Sequence, residues 1–462
     1  MKALVAIANY GHGNREYLDK LIEAYQQMPI DIHLVVLSNI PKDLGPEVEV
    51  RVGVPSENPW SLPFAHRPLF KERLNEYDLF VYSEDDTLLE WPVLERFVRS
   101  STELRPDEIA GFMRTETGPD GRVYYSTSHS FFRWLPHTVR ERKGKLWARF
   151  SNDHSALFVA SRDQLRQAIN SGGFVDEPHE GRYDMLCAAA TDIYTRCSLE
   201  RLICLDELER CELPHLPNKY IGKMGLPREE MQWQIEALRK VHQGALPSRS
   251  LYDPETQLPG GQGSKHSREQ PDGVIVDLIG ETPRRILVWG SGDGVAEADL
   301  ASRGHEITVM PMDAVLGYSC EKRGLIVMPP DISALASLGK GFDVVIVRDG
   351  LHLIDDPEQV LHGLKSVLKA TGRVIARVPH LGEIGLLRKR LNDKRFQMKW
   401  DREHIGATAM SVGTLKRLCV RAGFTNPRVR GSVPQPRRGI DRMTLGVMSK
   451  RLSPFLYAVA DK

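Results

Sequence analysis

Three consecutive acids end an apolar run: residues 77–82 (YDLFVY) lead straight into Ser83-Glu84-Asp85-Asp86-Thr87. Carboxylates massed at the end of a buried strand repel one another and are costly unless a cation offsets them. Mg2+ or Mn2+ does so well, because each takes hard oxygen ligands and bridges to substrate phosphates. Alternate residues of an extended segment face one way, so Glu84 and Asp86 are the first-choice ligands, with Asp85 beside them. A solvated acidic turn is the competing reading. The position between an apolar strand and the helix-like WPVLERFVRS weighs against it. A second constellation is Gly290-Ser291-Gly292-Asp293-Gly294, placed after the strand-like RILVW and before the helix-like VAEADLASRG. Glycines so spaced let the backbone turn tightly and approach a ligand closely at a helix N-terminus. A weaker third is the loop Asn9-Tyr10-Gly11-His12-Gly13-Asn14, either an approach to a nucleotide or a plain strand-to-helix turn.

The elements that must position these groups follow one style. Short apolar strands alternate with amphipathic helices, which predicts an α/β protein with mostly parallel sheets, whose ligands bind at the carboxyl ends of strands. The 462 residues suit two or three domains. The sharpest composition break is residues 243–272, rich in Pro, Gly, Ser and charge, and read as a linker between domains 1–242 and 273–462. With 62 basic and 61 acidic residues the net charge is +1, which argues against a nucleic-acid partner held by global charge. Two local basic runs, 388–395 and 428–438, read as solvated faces or as contacts to anionic headgroups. No apolar run approaches the ~20 residues of a membrane span. Met1 leads at once into strand-like KALVAIA, unlike a signal peptide, so a cytoplasmic location is expected. Six cysteines without CxxC spacing read as buried thiols in a reducing compartment.

The run YDLFVYSEDDTLL, with the βαβ start at residue 1, resembles the GT-A glycosyltransferases. Their DxD-type cluster holds the metal that binds a nucleotide-sugar diphosphate. The resemblance implies this role for Glu84, Asp85 and Asp86, although the sequence reads EDD rather than strict DxD. It covers residues 1–240 and implies a nucleotide-sugar donor with Mn2+ or Mg2+. Within HEGRYDMLCAAATDIY it puts Glu180, Asp184 and Asp192 near the cleft, with Asp184 the candidate base for an acceptor hydroxyl. His215 is a candidate further metal or phosphate contact.

Residues 270–460 resemble the class I S-adenosylmethionine-dependent methyltransferases, in the branch associated with sugars and surface polysaccharides. The glycine loop, the strand GFDVVIV, the helix opening at Asp356-Pro357, the turn before RVIARVP, the segment Asp401-Arg402-Glu403-His404 and the final Ala422-Gly423-Phe424 carry the match. It implies that Gly290, Gly292 and Gly294 line the methionine and ribose of S-adenosylmethionine. Asp331 would meet the adenine amino group, and Asp349 would lie beside the cofactor. A dinucleotide-binding Rossmann unit is the competing reading. Three positions depart from the pattern. Pro311 stands where an acid usually grips the ribose, leaving Asp313 two residues late; Leu353 replaces a histidine, with His352 before it; and Gly406 replaces an arginine. Imidazole is tuned near neutrality, so His404 is the first candidate base for an acceptor hydroxyl and His352 the second.

Together these imply a bifunctional glycan-modifying enzyme: a GT-A-like Rossmann-type sheet that transfers sugar to a glycan or lipid-linked glycan, then a doubly wound methyltransferase-like sheet that methylates a sugar hydroxyl. Peripheral contact with the inner face of a membrane is a further expectation; oligomeric state is left open. The alternative is one working catalytic domain beside a degenerate one kept as a binding scaffold.

Overall fold

The computed structural model describes residues 1–127, 132–220, 225–393, 396–432 and 453–462. By packing, the chain divides into two units, residues 1–129 with 133–232, and residues 130–132 with 233–462. The division falls inside the helix Arg228–His242.

Among the described residues the first unit holds three sheets. The principal one runs, edge to edge, through Leu157–Ser161, Leu79–Glu84, Lys2–Asn9, Asp31–Ser38 and Val48–Val52. All neighbours are parallel except Leu157–Ser161, which runs against Leu79–Glu84. From Ala3 to Asn9 every residue is buried, as a strand covered on both faces requires. The helix Arg15–Gln26 makes the first crossover, burying Leu18, Leu21, Ile22 and Tyr25 at helical spacing. Two smaller mixed sheets complete the unit. One orders Glu108–Ala110, Glu200–Cys204, Lys145–Ala148 and Arg140–Arg142; the other orders Glu212–Pro214, Met113–Thr117, Val123–Tyr125 and Leu226–Pro227. The mostly parallel architecture expected from the sequence therefore describes only the principal sheet here. The small sheets take their backbone pairing from strands of two to five residues, too short to show periodicity.

Among the described residues the second unit has one seven-stranded sheet in the order Ile326–Val327, Glu306–Pro311, Arg285–Ser291, Phe342–Arg348, Leu368–Pro379, Phe455–Asp461, Thr425–Gly431. The first five are parallel, and Phe455–Asp461 runs antiparallel to both its neighbours. Strand order reverses at Arg285–Ser291, so the crevice at its carboxyl end is the expected ligand position. Helices cover both faces over two apolar clusters, one around Leu287, Val345 and Leu361, the other around Val288, Val309 and Ile346. All six cysteines are buried and unpaired in disulfides. Among the described residues no helix is long and apolar enough to cross a membrane.

Candidate functional site

In the first unit, Glu84 ends its strand, and the chain turns at once through Asp85 and Asp86. The Asn9–Asn14 loop reaches this turn because the parallel register sets Ala8 opposite Glu84. Asn9 and Asn14 donate to the two Asp85 oxygens at 2.5 and 2.8 Å, and Asn14 adopts a left-handed conformation (φ 59°) to do so. Burial raises Asp85 to about 6, against these two hydrogen bonds. Lys42 donates to the Gly11 carbonyl at 2.5 Å and holds the loop from the far side.

His215 arrives from a distant part of the chain. It follows the strand Glu212–Pro214, and its amide donates to the Thr115 carbonyl at 2.8 Å. On the other side it forms an antiparallel bridge with Thr87. Its Nε2 lies 3.4 Å from Asp86 Oδ2, and its Nδ1 lies 2.5 Å from Glu116 Oε1. Burial alone would raise Asp86, yet the hydrogen bond and charge of His215 bring it below the usual aspartate range. Glu84 behaves oppositely: burial, then repulsion from Asp86, Asp85 and Asp184, pushes it up to about 8, with Arg114 opposing. Its Oε1 is buried without a hydrogen-bond partner. The structure thus places His215 against Asp86, turns Asp85 toward Asn9 and Asn14, and sets Asp184 within electrostatic reach of Glu84.

Asp184 is the N-cap of the helix Met185–Thr195, accepting from Cys187 N. Asp192 is a correction to the sequence expectation. Its carboxylate meets the fully buried Arg67 at 2.8 Å, so it serves the core rather than a cleft. Among the described residues no group of three or more His, Cys, Asp or Glu is arranged to hold a metal ion. The loop Asn9–Asn14 singled out in the sequence does reach this turn, whereas Arg114 and Glu116 carried no signal there.

In the second unit the glycine loop has the predicted strand–turn–helix form, with φ +70° at Gly290 and +89° at Gly294, and the helix Val295–Ser302 beginning at once. The face of the loop is approached by the chain itself. A Cβ at Gly292 would stand 2.1 Å from the Ser267 carbonyl oxygen, and one at Gly290 would stand 2.7 Å from the Tyr252 hydroxyl. The Tyr252 ring stacks on Trp289 at 5.2 Å. Residues 251–270, inside the segment read as a linker, are packed along the second unit. Buried atoms near the carboxyl ends of the central strands without a hydrogen-bond partner include Trp289 Nε1, Ser291 Oγ and His352 Nδ1. The loop geometry fits a cofactor of the class the glycines imply.

The predicted acids each have partners within the protein. Asp313 caps the helix Ala314–Lys322, accepting from Val315 N and Leu316 N. Asp331 is exposed and caps a short turn through Ser333 N. Asp349, with φ +52°, pairs with Arg377, whose Nε donates at 2.9 Å. Arg377 also meets Asp272 at 2.6 Å, and nearby Lys265 pairs with Glu269 at 2.8 Å. This buried network was missed in the sequence, where its trace is the arginine inside the apolar run RVIARVP.

The two histidines part company. His352 is fully buried, with Nε2 2.7 Å from the Gly263 carbonyl. His404 is exposed, and its Nδ1 sits 2.5 Å from Asp401 Oδ1. Asp401 also caps the short helix Arg402–Ile405, and Arg402 ties that helix to the Leu353 carbonyl at 2.8 Å. Gly406 ends it in a left-handed conformation (φ +67°), which is why a β-carbon is unwelcome there. Asp401 thus orients the imidazole and leaves Nε2 to take a proton. The basic helix Ile384–Asn392 exposes Leu387, Arg388, Lys389, Arg390 and Leu391. Lys394 and Arg395 of that run, and residues 433–438 of the second run, lie outside the described residues.

Glu297 lies under the glycine loop, 2 % exposed, with Oε2 unpartnered. Burial, then the Glu269 charge, raises it from 4.5 to about 7. A carboxyl raised on folding gives stability that is full below pH 4.5 and lost as pH rises through 7. Glu297→Gln should therefore leave stability unchanged near pH 4.5 and raise it by up to about 3 kcal/mol at pH 8, read as a melting shift of several degrees. Equal shifts at both pH values would contradict this.

Residues 287–376 match the family described as "Methyltransferase domain". The match begins in the strand before the glycine loop and ends in the strand carrying Arg377. No curated protein matches the chain. Among solved structures, a SAM-dependent methyltransferase of Thermotoga maritima, titled a possible histamine N-methyltransferase, is 18% identical, with 39% of this chain and 83% of that one covered and a TM-score of 0.30. A SAM-dependent methyltransferase of Archaeoglobus fulgidus is 18% identical, covering 39% and 87% at 0.31. One from Mesorhizobium loti is 16% identical, covering 41% and 96% at 0.30. Residues 287–376 thus carry a methyltransferase domain, and the N-terminal half is unassigned by these matches.

Proposed function

We propose that the chain is a two-part glycan enzyme, whose first unit transfers a sugar from a nucleotide donor and whose second methylates a sugar hydroxyl. The observation that carries the first part is the contact of His215 with Asp86 just past a strand end, beside a loop that Asn9 and Asn14 tie to Asp85. Mg2+ or Mn2+ is commonly held by one or two carboxylates with substrate phosphates completing the shell. Asp86, the acid kept ionised by His215, would be the protein ligand, with Asp184 the base for the acceptor. In the second unit the cofactor supplies an electrophilic methyl group. The chain supplies the glycine loop to hold it and His404, oriented by Asp401, to accept the hydroxyl proton. The six buried free cysteines suit a cytoplasmic site of action.

A second reading, one working domain beside a binding scaffold, is favoured by a specific observation: Asp313 and Asp349 are engaged within the protein. Two variants separate the readings. Asp86→Ala should abolish the calorimetric heat of UDP or GDP with Mn2+ while sparing that of S-adenosylhomocysteine. Gly292→Arg should do the reverse. Under the second reading one of the two ligands gives no heat even with the unaltered chain.

A further inference from the structure

Residues 251–269 lie across the glycine loop rather than passing it by. Leu251 N donates to the Met312 carbonyl at 2.8 Å, just past the second strand of the unit. Tyr252 covers Gly290 and Trp289. Gln257 N then donates to the Ile405 carbonyl at 3.0 Å, and His352 reaches the Gly263 carbonyl at 2.7 Å. The segment returns to the loop, where Asp293 N donates to the Ser267 carbonyl at 2.7 Å and Arg268 pairs with Asp293 Oδ2 at 2.7 Å. Lys265 donates to the Arg348 carbonyl at 2.7 Å. These ties are mostly polar, while Tyr252 and Leu258 add apolar contacts to the core of the unit. Between the two crossings stand Gly260, Gly261 and Gly263, with φ +64°, +63° and +85°, a run that can absorb a large backbone change.

A cofactor that uses the glycine loop must approach Gly290 and Gly292, and both are covered, by Tyr252 and by Ser267. We propose that residues 251–269 are a strap that closes the cofactor face of the glycine loop and lifts, about Gly260–Gly263, to admit S-adenosylmethionine. The inference rests on the assignment of this unit as a cofactor-binding methyltransferase domain. His352 acts as a tie of the strap through Gly263. The apparent affinity for cofactor is reduced by the fraction of time the strap is closed, and the association rate is bounded by its opening.

The test is stopped-flow association of S-adenosylhomocysteine with the full chain, followed by tryptophan fluorescence, since Trp289 lies beneath Tyr252. The strap predicts an observed rate that reaches a plateau with ligand concentration. Arg268→Ala removes the ion pair to Asp293 and should raise that plateau by about tenfold, the equilibrium change of one charge-assisted hydrogen bond. Tyr252→Phe, which keeps the stacking, should raise it less, and thermal melts of both variants confirm folding. A rate that climbs linearly without a plateau, or a plateau that neither variant moves, overturns the strap while leaving the cofactor assignment intact. Absence of binding in the unaltered chain and in both variants overturns the assignment and the strap together.

Discussion

Replacing His404 with alanine should lower methyl transfer to a saccharide acceptor by about 10²–10⁴-fold, the usual contribution of a positioned general base. A sugar hydroxyl is a poor nucleophile while it keeps its proton. The exposed imidazole has one nitrogen occupied by Asp401, so the other is free to take that proton. Asp401→Asn should cost less, because His404 remains but loses its orienting carboxylate. Both variants should bind S-adenosylhomocysteine as the unaltered chain does, because neither residue touches the glycine loop. Rates from labelled S-adenosylmethionine measure the effect. Unchanged turnover in His404→Ala would remove this residue from the chemistry and leave the buried His352, a tie of residues 251–269, as the other candidate.

Arg377→Met should be the most destabilising single change in the second unit. The side chain is 10% exposed and meets Asp349 and Asp272 directly, with Glu269 3.7 Å away and the Phe455 ring 4.5 Å from the guanidinium. Removing it leaves buried carboxylates uncompensated, a loss of about 3–5 kcal/mol. At 2–4 °C per kcal/mol for a unit of this size, melting should fall by roughly 10 °C. Asp349→Asn in the same chain should restore part of the loss, because it removes one of the stranded charges. Burial would raise Asp349, but Arg377 holds it below the ordinary 3.8. That stability is therefore present above pH 3.8 and lost as pH falls below it, so the variant and the unaltered chain should converge in acid. A drop of under about 1 kcal/mol at neutral pH would mean that desolvation already cancels the network.

What the sequence disclosed follows the range of the interactions. The glycine loop was legible because strand, turn and helix are consecutive and the turn demands glycine at Gly290 and Gly294. The acidic turn at Glu84–Asp86 was legible for the same reason. The meeting of His215 with Asp86 was only suspected, since it depends on a bridge between residues 87 and 215. The small sheets were invisible. Arg140–Arg142 is all charge, and Glu200–Cys204 pairs with both 108–110 and 147–148, which no local pattern encodes. Residues 251–269 read as a linker because backbone carbonyls, ion pairs and glycines leave no hydrophobic period. Arg377 was the legible hint that went unread: a charge inside an apolar strand implies buried partners.

The most direct test of the account is a calorimetric titration of S-adenosylhomocysteine into the full chain and into Gly292→Arg, with melting curves to show that both are folded. The account predicts saturable binding at one site per chain, and no heat from the variant, whose side chain cannot share the loop face with Ser267 or with a ligand. No binding by the folded, unaltered chain, or equal binding by both proteins, would contradict it.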